Sequence, residues 1–316
     1  MFCRRPFEQF YVAENGDVHL CCPEWIAMPA GNVLATPPLE IWRGKVAHRI
    51  RQSILDQSFR HCTGCPFLPG PAGCVTDVAP TDLPIDRIGV LTLAHDPTCN
   101  LSCPSCRNQI RGKTPRSKQI QDILVESRIF ELVDILCSSG SGDPLAAPLY
   151  WELLEKLPPD EYPKLRLRLQ TNGVLLDERA WAKLGKNADR LEAIYLSVDA
   201  ASRETYDQNR RGGDWDALLE NLAEIKRRRI PLQLNMVVQA NNYREMVDFV
   251  EMARYYGASR AYFSALENWG TYSDEEYLRR AVHESSHPDH PDLLVELASP
   301  LLRDPSFVTL ARLPRP

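Results

Sequence analysis

Short apolar runs recur along the chain from residue 88 onward, and segments with the three- to four-residue apolar spacing of an amphipathic helix separate them. The runs predict six strands, at residues 88–94, 133–138, 165–170, 193–198, 232–238 and 261–266. Repeated alternation of strand and helix predicts parallel strands joined by right-handed crossovers. Because six units are too few for a closed eight-unit barrel, the pattern predicts an α/β fold of the partial (β/α)6 TIM-type barrel class, with an open Rossmann-like sheet as the alternative.

Several of these strands alternate between apolar and polar side chains. In "LRLRLQ" (165–170) the leucines fall on one face, and Arg166, Arg168 and Gln170 on the other. We expect the leucines to pack under helices and the polar side chains to line a cavity. A buried guanidinium is costly without an anionic partner, so Arg168 is expected to bind an internal carboxylate or a bound anion. The alternative is an arginine whose head reaches solvent at the rim.

The first 80 residues differ in character from the rest. They hold six of the ten cysteines in the chain. Residues 7–22 predict a β-hairpin about an Asn15-Gly16 turn, and residues 39–55 predict a helix. Residues 69–84 are rich in proline and glycine and predict a linker. We therefore expect a small N-terminal cysteine-rich module at residues 1–80, a barrel at 86–267 and a C-terminal extension at 268–316.

Composition narrows the class of protein. The 316 residues are 44% hydrophobic and carry a net charge of -5, which argues against a nucleic-acid binder that depends on phosphate contacts. No apolar run reaches the length of a membrane span or of a secretory signal, so we expect no membrane partner and a cytoplasmic location. Thiols stay reduced in the cytosol, so the ten cysteines predict metal binding or redox chemistry rather than disulfides.

Three cysteines, Cys99, Cys103 and Cys106, lie directly after the first predicted strand. In parallel α/β folds this end of the strands carries the active site. Cysteine thiolates are the usual ligands of iron–sulfur clusters, and three thiolates on a cluster of four irons leave one iron open to a ligand. The alternative is a zinc site completed by a residue such as His95.

The spacing C-x3-C-x2-C after a first strand resembles that of the radical S-adenosylmethionine (SAM) superfamily, over about residues 88–267. The resemblance implies that Cys99, Cys103 and Cys106 bind a [4Fe–4S] cluster whose open iron chelates the amino and carboxylate groups of SAM. It also implies that an electron from the cluster cleaves SAM to a 5′-deoxyadenosyl radical, which abstracts hydrogen from a substrate. An electron donor such as flavodoxin or ferredoxin would supply that electron.

Later segments strengthen this resemblance. "SGSGDP" resembles the Gly-Gly-Glu-Pro segment of the family, which receives the SAM amino group, and "SVDA" is similar to Ser-Leu-Asp-Gly, whose serine contacts the ribose. "QTNG" follows the third strand, and Arg210 lies where relatives often place an arginine on the SAM carboxylate, with Arg211 as the alternative. One departure is Ser105, where relatives usually carry an aromatic residue near adenine. The resemblance implies this set of SAM-binding residues: Gly140, Ser141, Gly142, Asp143, Pro144, Thr171, Asn172, Ser197, Asp199 and Arg210.

The N-terminal module has its own cysteine pattern. Cys3 and Cys21 fit C-x12-G-x4-C around Gly16, and Cys62 and Cys65 form a C-x2-C pair. Together with the hairpin and helix, this resembles the SPASM and Twitch modules of radical SAM enzymes, although those usually follow the barrel. The resemblance implies a second, auxiliary [4Fe–4S] cluster on Cys3, Cys21, Cys62 and Cys65. Either Cys22 or Cys74 could replace one of these ligands, and a four-cysteine zinc site is the alternative.

These features predict a radical SAM oxidoreductase that dehydrogenates a polar small molecule, such as a sugar, aminocyclitol or amino acid derivative. The auxiliary cluster would accept the substrate electron. Because no extra N-terminal segment for leader-peptide binding is visible, a small molecule is preferred to a short peptide. The alternatives are a peptide-modifying radical SAM maturase or epimerase and, at a greater distance, a non-enzymatic iron–sulfur electron carrier.

Three further residues are candidates for a catalytic role. Cys137, at the end of the second strand, could return a hydrogen atom to a substrate radical, or it could be a core thiol. Arg168 could hold an anionic group of SAM or substrate. Glu267, directly after the sixth strand, could act as a general base, or it could be a solvated glutamate at the rim.

Overall fold

A computed structural model describes residues 2–65, 68, 75–76, 85–138 and 141–314. Most of the predicted linker, together with Cys74 and Gly140, lies outside the described residues. The chain divides into two compact units. Unit 1 comprises Met1–Thr98, Gly112–Leu169 and Lys186–Leu191, and unit 2 comprises Cys99–Arg111, Gln170–Gly185 and Glu192–Pro316.

Unit 1 begins with short elements around the first cysteines. In chain order these are β1 (Phe2–Cys3), α1 (Arg5–Glu8), β2 (Gln9–Val12), β3 (Asp17–His19), β4 (Gly31–Asn32), α2 (Pro38–Arg43), α3 (Lys45–Leu55) and β5 (Val75–Thr76). Strands β2 and β3 pair antiparallel, as the hairpin prediction requires. The single helix predicted at 39–55 is wrong, because Gly44 takes an extended conformation that ends α2 and starts α3.

The remaining elements of unit 1 alternate between strand and helix. They are β6 (Ile88–Leu93), α4 (Pro115–Glu126), β7 (Val133–Ser138), α5 (Pro148–Lys156) and the first four residues of β8 (Arg166–Thr171). These strands run parallel in the order β6–β7–β8. Strand β2 of the N-terminal hairpin pairs in parallel with β6, so the hairpin extends this sheet. The sheet order in unit 1 is β4–β3–β2–β6–β7–β8.

The register of the paired strands shows which side chains lie on each face of this sheet. Leu91, Leu136 and Leu167 are aligned neighbours on β6, β7 and β8, and each is at most 2% exposed. One residue further along each strand, Thr92, Cys137 and Arg168 are aligned on the opposite face, and Tyr11 of β2 is aligned with Thr92. We call these four side chains the polar row. The alternation read from the sequence is therefore present in the fold.

Unit 2 contains the other strand–helix repeats. Its elements are α6 (Glu178–Leu184), β9 (Leu191–Ser197), α7 (Arg203–Asn209), α8 (Trp215–Arg228), β10 (Leu232–Val238), α9 (Met246–Tyr255), β11 (Arg260–Ala265), α10 (Asp274–Arg280), α11 (His290–Leu297) and β12 (Val308–Ala311). Strands β9, β10, β11 and β12 pair in parallel in that order. All six predicted strands are present within two residues of their predicted ends. Strand β12, in the C-terminal tail, was not predicted.

The sequence places helix starts at side chains that cap them. Thr114, Asp177, Ser202, Asp214 and Ser273 each accept a hydrogen bond from the backbone N–H three residues later. Such caps satisfy donors that have no partner inside the helix. Among the described residues, no helix combines the length and the apolar character that crossing a bilayer requires.

Candidate functional site

The three-cysteine segment forms a closed loop within unit 2, directly after the end of β6. The backbone N–H of Cys99 donates to the carbonyl oxygen of Arg111 at 3.1 Å, which joins the two ends of the loop. The N–H of Ser102 donates to the carbonyl of Arg211, also at 3.1 Å, and so ties the loop to the segment after α7. Cys103 is buried and Cys106 is exposed. The loop therefore has one sulfur inside the protein and one at the surface.

Each sulfur of this loop lies near an N–H donor. The backbone N–H of Leu101 lies 3.4 Å from Cys99 Sγ, a guanidinium nitrogen of Arg107 lies 3.5 Å from Cys106 Sγ, and one of Arg210 lies 3.7 Å from Cys103 Sγ. Such donors stabilise thiolates, which are the form that ligates iron. Burial raises the pKa of the Cys103 thiol and the neighbouring guanidinium opposes that shift.

This donor set fits an iron–sulfur cluster. Three soft sulfur ligands lie on one short loop, and N–H groups of the protein support them. Across the described ranges, no three His, Cys, Asp or Glu side chains converge closely enough to hold a single metal ion. Cysteine thiolates are the usual ligands of iron–sulfur clusters, so the three sulfurs of the loop fit such a group.

The "QTNG" segment at the end of β8 also belongs to unit 2 and contacts the cysteine loop. The Asn172 side chain donates to Asn100 Oδ1 at 2.9 Å and lies 4.0 Å from Cys99 Sγ. Thr171 Oγ1 accepts the N–H of Gly173, whose φ of +81° belongs to the left-handed region. A Cβ on Gly173 would lie 2.7 Å from a Leu196 methyl, so only glycine fits this turn. Thr171 thus shapes the turn, and Asn172 braces the cysteine loop.

The "SVDA" segment places a buried carboxylate next to the loop. Asp199 has a φ of +61°, which is unusual for a residue with a side chain. Its carbonyl oxygen accepts from the side chains of Asn209 and Asn242, each at 3.0 Å, and its Oδ1 accepts the N–H of Val237 at 2.7 Å. These bonds offset the cost of the backbone conformation. Ser197 is half-buried at the end of β9 and is aligned with Asn235 of β10.

Arg210 forms an ion pair with this carboxylate. The distance from Arg210 Nη2 to Asp199 Oδ2 is 2.9 Å, and the two side chains are 12% and 2% exposed. Burial acts to lower the pKa of Arg210, but the attraction of Asp199, to which an ionised Cys103 would add, raises it above its usual value. The guanidinium therefore remains charged at the buried side of the cysteine loop.

Sequence reasoning missed the residues that hold this region in place. Glu245 accepts hydrogen bonds from the backbone N–H of Ala201 at 2.6 Å and from the hydroxyls of Ser202 and Thr205. It thereby fixes the turn between β9 and α7. Isolated polar residues such as Glu245 and Asn242 carry no motif, and only the fold shows which backbone groups they reach.

In unit 1, Ser141–Asp143 of the "SGSGDP" segment contact the end of β6 and the residues that follow it. The Ser141 hydroxyl donates to the carbonyl of Ala94 at 2.6 Å, and the N–H of Asp143 donates to the carbonyl of Thr98 at 2.7 Å. A Cβ on Gly142 would lie 2.4 Å from the Thr98 carbonyl oxygen and 2.5 Å from that of Asp96. The glycine is therefore required for this close backbone contact.

The Asp143 carboxylate turns back into the segment that carries it. Asp143 is 2% exposed, and one of its oxygens accepts the N–H of Leu145 at 3.0 Å. Pro144 follows it directly. Gly140, the first glycine of the predicted SAM-binding segment, lies outside the described residues.

A buried histidine lies beneath this segment in unit 1. His95 is 3% exposed and lines a cavity of about 30 Å³ together with Gln121, Asp143 and Tyr150. Such a volume is enough for a water molecule. Burial lowers the pKa of His95 to about 4, so the ring is neutral near pH 7.

The N-terminal cysteines form a second group within unit 1. Burial raises the pKa of Cys21 to about 12 and that of Cys62 to about 11, and the charge of Cys65 adds to both shifts. Cys3 is 8% exposed and belongs to an apolar cluster against which Cys62 packs. Thiols in such a setting ionise when a metal binds them. The assignment of Cys3, Cys21, Cys62 and Cys65 as one ligand set stays a prediction.

Cys22 is exposed, whereas Cys21 is partly buried. The Sγ of Cys22 lies 3.9 Å from Glu24 Oε2. Burial raises the pKa of Tyr11 to about 12, and ionised Cys22 and Cys137 would add to that shift. Arg5 acts on the pKa of both Cys21 and Cys22, so Cys22 stays a candidate ligand beside Cys21.

Of the three candidates for a catalytic role, two lie in unit 1 and one lies in unit 2. Cys137 is 6% exposed and is aligned with Arg168, which is half-buried, in the polar row of unit 1. Glu267, in unit 2, forms an ion pair with Arg312 of the C-terminal tail, and both side chains are about one third exposed. A base at Glu267 would first have to leave this arginine. These three roles stay predictions.

Comparison with known proteins agrees with this geometry. The model of the radical SAM superfamily matches residues 94–253, and that of the SPASM iron–sulfur cluster-binding domain matches residues 3–66. The chain therefore belongs to the radical SAM superfamily and carries an N-terminal SPASM domain. Its fold is of the mixed α/β class, and the strands from β6 onward pair in parallel within each unit. Its cofactors are SAM, a SAM-binding [4Fe–4S] cluster and an auxiliary iron–sulfur cluster.

The relatives at the sequence level have diverse activities. Mycofactocin maturase MftC of Mycobacterium ulcerans is 28% identical over 56% of this chain and 46% of its own length. GTP 3′,8-cyclase of Alkaliphilus metalliredigens is 29% identical over 52% of each chain. PqqA peptide cyclase of Gluconobacter oxydans is 28% identical over 54% of this chain and 48% of its own length. The chain thus spans about half the length of the curated relatives it matches.

Among solved structures, SuiB of Streptococcus suis bound to SAM aligns with a TM-score of 0.49 and 15% identity. The alignment covers 72% of this chain and 50% of SuiB.

We expect Gly142→Ala to weaken SAM binding, because the added methyl group would clash with two backbone carbonyls and displace the segment. Overpacking of this kind costs about 1–3 kcal/mol, so the dissociation constant for SAM should rise about 5- to 160-fold. Equilibrium binding of SAM to the cluster-loaded protein measures this. Gly112→Ala is the matched control, since no atom lies within 4 Å of a Cβ at that position. Equal SAM affinity in the two variants would contradict the assignment of the segment.

Proposed function

We propose that this protein is a radical SAM enzyme that cleaves SAM reductively and removes a hydrogen atom from a polar substrate. The observation that carries the proposal is the loop of Cys99, Cys103 and Cys106, which supplies three supported sulfurs and no fourth cysteine. A four-iron cluster on such a loop supplies an open iron for SAM and the electron for its cleavage.

The chain's own residues would bind and orient SAM. The backbone and carboxylate of Ser141–Pro144 are assigned to its amino group, and Ser197 to the ribose. Thr171 and Asn172 act by holding the turn after β8 and the cysteine loop in place. Arg210 retains donors beyond the two contacts it makes, and its predicted bond to the SAM carboxylate stays part of this proposal.

The substrate is proposed to be a peptide, with a small polar molecule as the second candidate. Two of the relatives are named as a maturase and a peptide cyclase, which supports the first, and the GTP cyclases support the second. The half-buried Tyr11, Thr92 and Arg168 of the polar row offer hydrogen-bond donors that suit either. This order reverses the preference drawn from the sequence.

The auxiliary cluster is proposed to accept an electron from the substrate radical. Four thiols in a closed set leave no open iron, so such a cluster suits electron transfer rather than SAM binding. The polar row runs from Tyr11, on the strand of the N-terminal hairpin that pairs with β6, to Arg168. In this proposal a substrate held on the row lies on the face of the sheet that carries Tyr11.

We expect the reduced protein to convert SAM to 5′-deoxyadenosine, and the triple variant Cys99→Ala/Cys103→Ala/Cys106→Ala to lose this activity and one cluster's iron. Removing three thiolates leaves that cluster without an anchor. Liquid chromatography of the nucleoside product and iron analysis measure the two effects. SAM cleavage by the triple variant would refute the proposal, and so would a wild-type protein that holds both clusters but forms no 5′-deoxyadenosine.

The auxiliary cysteines should give a different result. We expect Cys21→Ala/Cys62→Ala/Cys65→Ala to lose the second cluster while it retains SAM cleavage, because the SAM site has its own ligands. Oxidation of the substrate should stop, since its electron has no acceptor. Cys22→Ala is the comparison variant, because it removes the adjacent thiol, and with the predicted ligand set it should keep both clusters. Loss of a cluster in Cys22→Ala would show that Cys22 is a ligand.

Arg168→Leu should weaken substrate or SAM binding and leave both clusters intact. A charge-assisted hydrogen bond contributes about 1.5–3 kcal/mol, so KM should rise about 10- to 100-fold. Arg166→Leu is the matched control, because Arg166 occupies the same strand face two residues away and is exposed. Steady-state kinetics of both variants, with iron content as a check, make the comparison. Equal KM values would exclude a binding role for Arg168.

A further inference from the structure

The guanidinium of Arg210 lies between a carboxylate and a cysteine sulfur inside unit 2. Its Nη2 is 2.9 Å from Asp199 Oδ2, and its Nη1 is 3.7 Å from Cys103 Sγ. Its Nε is buried and has no hydrogen-bond partner among the residues that the structure describes. The arrangement directs a buried positive charge at one ligand of the cysteine loop.

Asp199 fixes this charge in position. Its other carboxylate oxygen accepts the N–H of Val237 in β10, and its carbonyl accepts from Asn209 and Asn242. The backbone N–H of Arg210 donates to the Tyr206 carbonyl at 2.7 Å. Both ends of the arginine are therefore held by the protein, independently of any ligand.

Arg210 is the cation next to the buried sulfur of the loop. Cys103 is 6% exposed, whereas Cys106, the sulfur next to Arg107, is open to solvent. A charge acts more strongly where water is excluded, since the effective dielectric constant there is lower. Arg107 is a second buried cation near these sulfurs, and the backbone donor at Cys99 carries no net charge. Arg210 is thus the cation whose charge acts on Cys103 from the protein interior.

We infer that Arg210, held by Asp199, raises the reduction potential of the cluster that Cys99, Cys103 and Cys106 bind. This inference rests on the proposed function, because it takes these cysteines as the ligands. Hydrogen bonds to the sulfurs and nearby charge set the potential of iron–sulfur clusters. A cation stabilises the reduced cluster, which carries one more negative charge, and Asp199 limits that effect by offsetting part of the charge. Arg210 is on this account a positioning and tuning residue, whatever else it binds.

The test is an EPR-monitored redox titration of the cluster-loaded protein without SAM. The signal of this cluster is the one that changes when SAM is added to a reduced sample. We expect Arg210→Gln to reduce the equilibrium constant for reduction by about tenfold or more, which corresponds to a potential lower by 59 mV for a one-electron couple. Arg210→Lys, which keeps the charge but not the planar fork, should shift it less.

Two further variants separate the effect of charge next to the cluster from the effects of packing and of the net charge of the protein. Asp199→Asn removes the offsetting charge and should shift the potential upward, opposite to Arg210→Gln. Arg203→Gln makes the same change in net charge at an exposed position of α7 and should leave the potential unchanged. A role in packing alone would give no such pair of opposite shifts.

An unchanged potential in Arg210→Gln at full iron content would overturn the inference. If Arg210→Gln loses the cluster, the reduction potentials of Arg210→Lys and Asp199→Asn test the inference instead. Potential shifts of the same sign in these two variants would also overturn the inference. Failure of the proposed function is a separate outcome. In that case the wild-type protein shows no SAM-responsive signal and forms no 5′-deoxyadenosine.

Discussion

The buried carboxylate of Asp199 is the contact on which the site in unit 2 depends. It joins the end of β9 to the backbone of β10 and to Arg210, and through Arg210 it reaches Cys103. Its own backbone adopts a left-handed conformation that Asn209 and Asn242 support. A buried ion pair is costly unless its remaining donors and acceptors are satisfied. Here the N–H of Val237 satisfies the second carboxylate oxygen, whereas Arg210 Nε has no partner among the described residues. The cysteine loop is thus held by groups that the protein supplies before any cofactor binds.

The predicted SAM-binding segment of unit 1 is held in place by a different kind of contact. There the contact is between backbones, with Gly142 against the carbonyls of Asp96 and Thr98, and no charge is involved. One segment is therefore fixed by shape and the other by electrostatics. The first depends on the absence of a side chain, and the second depends on the charges of two side chains.

Sequence reasoning identified local features and missed most long-range ones. The six strands follow from alternation, which a single segment displays, and the cysteine loop follows from spacing. The sequence also singled out Asp199 and Arg210, but not that they pair with each other. The pairing of β2 with β6 and the strand β12 were missed, because partners distant along the chain leave no local pattern. The break at Gly44 was missed because the apolar spacing continues across it.

The position of β2 has a consequence for the integrity of the sheet. Without the N-terminal hairpin, β6 would present unpaired backbone N–H and C=O groups, and such an edge invites pairing with another chain. With the hairpin in place, the outermost strand in unit 1 is β4, which has only two residues and gives little backbone for such pairing. The hairpin that carries Cys21 thus also protects the sheet against aggregation. Loss of this segment would leave the β6 edge open to pairing with another chain.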